Sequence, residues 1–240
     1  MFRDRLTLIW MSTRRLAVMV TAVPLLAASM AAASAKGLPD RVAAVLPPEV
    51  DLVIEVRHGM DQAESLAAWL ERHDGVRDAA RGLVDTSPEL SQARIGLLGL
   101  AAAAEVEPWE VIGLLLGEEL AIGMDVPLDG GEPRVIAATR LASPERAERL
   151  LLSIERASGV RRGESLDPDR VESVAGIQVV HLAEGIRYAR VDGGLIVATD
   201  PGLLEAALKM DVSAPTGVGS GTAYEAALER VPAAAPVVFY

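Results

Sequence analysis

The sequence predicts an α+β fold: a largely antiparallel β-sheet with helices packed against it. Three observations carry this. Apolar–polar alternation recurs in pairs joined by glycine-rich turns, as in hairpins and meanders. Helical segments come in blocks between those pairs, and a proline opens four of them. Regular strand–helix–strand alternation is absent, which argues against a doubly wound parallel sheet. The 240 residues, 50% of them hydrophobic, suffice for a core in one or two domains.

Residues 36–45 read as a lead-in linker, and a single α+β domain spans 46–240 after the Pro47-Pro48 pair. Asp51–Arg57 alternates, with Leu52, Ile54 and Val56 on one face and Asp51, Glu55 and Arg57 on the other, a half-buried strand. Ala63, Leu66 and Leu70 share a face of the helix that follows, with Trp69 beside them, and a second helix covers about 76–84. Ser87-Pro88, Glu107-Pro108, Ser143-Pro144 and Asp200-Pro201 each open a helix, because proline at the first helical position lacks only an N–H that would go unpaired anyway. Leu120–Val126 and Val135–Leu141 alternate around Asp129-Gly130-Gly131 and form a hairpin. Ala147, Leu150, Leu151 and Ile154 line the helix over 143–157, and 159–170 reads as a loop. Strands follow at about 176–182, 186–192 and 194–199, then a helix from Asp200 to Lys209. Residues 211–221 read as a loop, and Thr222-Ala-Tyr-Glu225 is a capping box opening a last helix. Val237–Phe239 is too short to fold alone and closes the sheet, with the strand at 51–57 as its neighbour. The echo between 231–240 and 46–55 is weak evidence for a repeat beside that reading.

The first 35 residues read as an address. Arg14-Arg15 precedes the uncharged stretch 16–33, and Ala33-Ser34-Ala35 has the small-x-small pattern of a signal-peptidase site. Residues 1–35 are therefore expected to be a secretory signal peptide, with Met1 or Met11 as the start. Thr13-Arg14-Arg15 matches a twin-arginine signal poorly, which leaves ordinary export as the preferred route. An uncleaved anchor is the alternative, weakened by Pro24 and the many alanines. The expected location is periplasmic or extracellular, with no membrane insertion after cleavage.

Charge and composition narrow the function. The net charge is −11; without the four arginines and one aspartate of residues 1–35, 19 basic residues face 33 acidic ones, a net −14. This argues against a nucleic-acid partner. Aromatics make up 3%, too few for a surface that stacks bases or sugars. The absence of cysteine excludes disulfides, zinc–thiolate sites and thiol catalysis.

Catalytic, cofactor and metal residues do not declare themselves. His58 heads a turn into a helix, His73 sits at a helix C-terminus, and His181 faces whatever Ile177 and Val179 face, as a packed structural histidine. None has metal-ligand spacing, and no Gly-x-Ser-x-Gly elbow exists. Ser220, within Gly217–Gly221, lies in a loop with some flavour of a phosphate cradle, but without a following lysine it reads as a flexible linker. Glu118-Glu119, the group Asp125, Asp129 and Glu132, and the pair Asp167 and Asp169 lack calcium-loop spacing and read as solvated turns.

In their order, several blocks resemble an exported bacterial family, domain of unknown function 3352. They are Leu46-Pro-Pro-Glu-Val-Asp-Leu-Val-Ile-Glu-Val56, Leu115–Met124, Val135–Leu151, Gly176–His181, Tyr188–Asp200 and Thr222–Pro232. The resemblance covers about 46–240 and implies no activity, cofactor or catalytic residue, since the family has none established. Its members look longer, with a second similar unit, which implies that this chain is either whole or the first unit of a longer protein.

Three functions remain. The first is a non-catalytic envelope module that binds a partner protein or an apolar ligand, resting on the export signal, the missing catalytic constellations and an alanine/leucine-rich core with apolar segments near 95–104 and 111–116. The second is an exported hydrolase built from Asp, Glu and His around His58 or His181, and the third is a purely architectural spacer. N-terminal sequencing of the secreted protein is expected to begin Lys36-Gly37-Leu38; a mature form that retains Arg14-Arg15 reveals an anchor instead.

Overall fold

Pro88, Pro108, Pro144 and Pro201 each open a helix, as the sequence predicts. In the computed structural model, which describes residues 37–75, 78, 87–127, 131–182, 185–211, 216–221, 224, 226, 229, 235 and 237–239, the helices are α1 (Gly59–Arg72), α2 (Pro88–Ala104), α3 (Pro108–Leu116), α4 (Pro144–Ala157) and α5 (Pro201–Lys209). The first turns of α2, α3 and α5 are capped by side chains. Ser87 Oγ accepts the Leu90 N–H at 3.3 Å, Asp200 Oδ1 accepts that of Leu203 at 3.0 Å, and Glu110 Oε2 accepts that of Glu107 at 3.1 Å.

The strands are β1 (Leu52–Arg57), β2 (Glu119–Asp125), β3 (Arg134–Arg140), β4 (Arg161–Arg162), β5 (Ser165–Leu166), β6 (Val171–Val174), β7 (Ile177–His181), β8 (Arg187–Val191), β9 (Gly194–Ala198) and β10 (Val237–Phe239). Eight of them form one antiparallel sheet in the order β10-β1-β2-β3-β9-β8-β7-β6, while β4 and β5 pair separately. The fold is α+β, and β10 closes the sheet on β1, with Glu55 opposite Val238.

One face of the sheet carries α2, α3 and α4. Leu100, Leu114, Leu150, Leu151 and Ile154 pack there on Tyr188, Leu195 and Val197. The other face carries α5, Tyr224 and the chain before β1. That last cover corrects the lead-in reading of 36–45. Val42–Val45 forms a 3-10 turn, and Val42 through Leu46 are at most 4% exposed. These residues rest on Ala121, Ile136 and Ala138, apolar side chains that would otherwise meet water.

The loop over Gly217–Gly221 is also corrected. It is a packed turn, with Val218–Ser220 in 3-10 conformation and the Val218 N–H donating to the Leu46 carbonyl at 3.0 Å. A Cβ on Gly217 would stand 2.3 Å from the Ala44 carbonyl oxygen, and one on Gly219 2.4 Å from the Ala43–Ala44 peptide. Glycine is there for close backbone approach rather than for flexibility or phosphate.

Three further readings change. Leu66 and Trp69 are 55% and 40% exposed; the contact of α1 with α3 at Gly113 is made by Met60 and Ala63 near its start. Glu55, placed by alternation on the wet side of β1, is 1% exposed, because both faces of the sheet are covered. The 159–170 loop holds β4, β5 and a 3-10 turn at Pro168–Arg170, and the strand β6 after it was not foreseen. The helix over 76–84, the turn at Asp129-Gly130 and the last helix with its capping box lie largely outside the described residues; Tyr224, from that helix, is buried. Among the described residues no helix is long and apolar enough to cross a membrane.

Gly219→Ala is expected to destabilise the fold by about 1–3 kcal/mol, since rigid backbone must move to admit the methyl. Gly221→Ala, whose nearest contact would be 3.4 Å, serves as the control. Denaturant melts measure both, and equal midpoints for the two variants would contradict the packing described.

Candidate functional site

Alternation along β1 sends Glu55 and Arg57 to the same face, and the register sets Arg57 opposite Glu119 and Glu119 opposite Arg140. Four charged side chains from three strands thus gather at one end of the sheet. Together with Asp40, Arg41, His58 and Glu118 they line a cleft of about 570 Å³.

Its floor is internally paired. Glu55 accepts from the Tyr224 hydroxyl and from Arg57 Nη2, the latter at 3.2 Å. Glu119 Oε1 accepts the Val42 N–H at 2.9 Å, and its other oxygen lies 3.8 Å from Arg140 Nε. Arg140 Nη2 donates to the carbonyls of Pro39 and Asp40, at 2.6 and 3.0 Å. The cleft therefore clamps the buried lead-in onto the sheet. Burial holds the Glu119 carboxyl above the usual carboxylate range, and the charge of Glu55 adds to this; the Val42 N–H and the two guanidiniums oppose it.

The sequence candidates disperse over the molecule. His58 lines the cleft at φ 55°, its N–H donating to the Glu118 carbonyl at 2.7 Å; among the described residues its ring makes no hydrogen bond to a carboxylate. His181 does face the side of Ile177 and Val179, but its neighbours are polar. Its Nε2 is 2.9 Å from Glu172 Oε1, an electrostatic contact rather than an aligned hydrogen bond, and Arg187 is 3.6 Å from the same oxygen. This trio is not part of the cleft lining. His73 caps α1, with Nδ1–H donating to the Trp69 carbonyl at 2.8 Å and its ring stacked on that of Trp69. Ser220 belongs to the packed glycine turn.

Of the acidic groups, Glu118 and Glu119 line the cleft; Glu119 is held there by the Val42 N–H, whereas the Glu118 side chain stays exposed. Asp125 is 9% exposed and pairs with Arg134, which also approaches Asp200 at 3.9 Å. Glu132 is exposed, and Asp129 lies outside the described residues. Asp167 Oδ1 accepts the Asp169 N–H at 3.1 Å in a local turn. Among the described residues no group of three or more His, Asp or Glu is placed to hold a metal ion.

One charged cluster escaped the sequence reading. Glu155, on α4, is fully buried and accepts from Tyr188 Oη, Arg190 Nη2 and Arg161 Nε, the last at 2.5 Å. Burial and the Glu155 charge push the Tyr188 hydroxyl well above its ordinary range, against the pull of Arg190, so it stays a donor. The available signal was Glu155 continuing the apolar stripe one turn beyond Leu151.

A different kind of surface lies on α2. Leu97, Leu100, Ala101 and Ala104 face the core. On the outward side, Ile95 is 67% and Leu98 46% exposed, beside exposed Gly99 and Ala102. The segment 111–116, by contrast, is mostly core, with Val111, Leu114 and Leu115 fully buried. No family model, curated protein or solved structure matches the chain.

Glu119 sets a pH dependence. Its folded pKa lies above the ordinary 4.5, so the folded state holds this proton more tightly than the unfolded chain does. Its contribution to stability is therefore greatest in acid and is lost as pH rises from about 4.5 through the raised pKa. Glu119→Gln keeps an acceptor for Val42 without the charge. Melts across pH are expected to show the variant gaining on wild type as pH rises through that window; a constant offset would contradict the assignment.

Proposed function

We propose that this chain is an exported, non-catalytic interaction module that docks a protein partner on the outward side of α2. The observation that supports the reading is the exposure of Ile95 and Leu98 beside Gly99 and Ala102 on one helix face. Helix-in-groove recognition uses anchors at this i, i+3, i+4, i+7 spacing. Large apolar side chains standing together in water are uncommon away from interaction sites. Export is supported by the charged flank, apolar stretch and Ala33-Ser34-Ala35 exit of the first 35 residues. An apolar small molecule is less well served, since the cleft is lined with charge.

The test immobilises the chain and compares it with the Ile95→Asp/Leu98→Asp double variant for capture from envelope extract, a second copy of the chain counting among possible partners. Wild type is expected to retain a partner that the variant loses at least about tenfold. Thermal midpoints should stay within a few degrees, since both side chains are substantially exposed. Equal capture by the two proteins refutes the reading.

A further inference from the structure

We propose that the outward side of α2 pairs with the same helix of a second copy of this chain, antiparallel and about a twofold axis. This rests on the reading of α2 as a docking face and names its occupant.

The first argument is shape. Along the stripe the large side chains, Ile95 and Leu98, come first, and the small ones, Gly99 and Ala102, follow. A Cβ on Gly99 would meet nothing within 4 Å, so the notch there is open. A twofold axis near Leu98–Gly99 sets Leu98 of each copy over Gly99 of the second copy, and Ile95 over Ala102 of the second copy. Parallel pairing would set large on large and small on small, leaving gaps that close packing disfavours.

Charge complementarity points the same way. Arg94 and Glu105 are eleven residues apart, about three turns along the axis; Arg94 borders the stripe from within α2, and Glu105, in left-handed conformation, closes the helix at its end. A twofold axis across antiparallel helices keeps corresponding flanks together. Arg94 of each copy then comes beside Glu105 of the second copy, giving two equivalent opposite-charge contacts. Parallel pairing would carry that flank of the two copies to opposite sides of the seam and form neither contact. Antiparallel helices also set their dipoles head to tail. The helix is about 25 Å long, and one helix a side is a small interface, so the dimer is weak and concentration-dependent. A bilayer is a poorer occupant, because the chain carries net −11 and Glu105 and Glu107 stand at the end of the stripe.

Sedimentation velocity on the purified chain over a concentration series is the test, with circular dichroism melts to verify that each variant folds. A monomer–dimer equilibrium is expected, and Leu98→Glu should weaken it at least about tenfold. Arg94→Glu and Glu105→Arg should each weaken it alone and together restore it, a rescue that parallel pairing does not give. A chain that stays monomeric, or a dimer indifferent to Leu98→Glu and to the charge swap, overturns the proposal. If a strictly monomeric chain captures another envelope protein and Leu98→Glu abolishes that capture, self-pairing fails while the docking reading stands. If Leu98→Glu instead abolishes flotation with phosphatidylcholine vesicles, both fail in favour of a membrane surface.

Discussion

β3 buries Val135 through Thr139 without a break, and β9 buries Gly194 through Ala198. An antiparallel sheet commonly keeps one face wet; these strands are apolar on both faces, so each face needs a cover. Three helices supply the first. The second is assembled from scattered pieces: the turn at Val42–Val45, α5 and Tyr224. The rest of the architecture follows from that need. The glycines at 217 and 219 exist so that a loop can lie directly on the turn, and Glu119 and Arg140 are arranged to hold its backbone in place.

Covering both faces also traps charge, and the molecule answers in the same way twice. Glu55 sits under the second cover and Glu155 under the first, each held by one tyrosine hydroxyl and by arginine. An ionised carboxylate out of water is tolerated only when its lone pairs are occupied by good donors. In both clusters the tyrosine comes from a distant part of the sequence, |i−j| being 169 for Glu55 and 33 for Glu155. These polar contacts therefore fix which segments meet, whereas apolar contacts alone would tolerate sliding.

What was legible in the sequence was local. Proline fixes φ and withdraws an N–H, so its preference for a helix start survives any tertiary context, and all four starts appear as read. The hairpin and the closing strand were also readable, because alternation and turn residues act over a few positions. Burial on both sides was not, since Leu120–Val126 alternates like a half-wet strand while Ala121 and Gly123 are small enough to pass for surface. Residues 36–45 misled for the same reason: Val-Ala-Ala-Val is too short to show a period. Glu55 and Glu155 look like surface carboxylates until their partners arrive from elsewhere in the chain. Of the candidate site residues, His58, Glu118 and Glu119 share the cleft, but Arg140, which clamps the lead-in there, carries no sequence signal beyond its charge. The apolar segment 95–104 reads from sequence as core, and only the fold shows that Ile95 and Leu98 within it face water.

The turn at Val42–Val45 lies between the sheet and the loop at Gly217–Gly221, so segments more than half the sequence apart meet in one layer. The N-terminal part emerges well before the loop. During that interval the early segment can rest on the sheet but lacks its outer lid, and the apolar residues of the second face are only half protected. The second face can close only after Gly217–Gly221 has emerged, and the contacts that seal it join residues far apart in sequence. Such long-range closure slows folding and prolongs the period in which chaperones, proteases and aggregation compete for the chain.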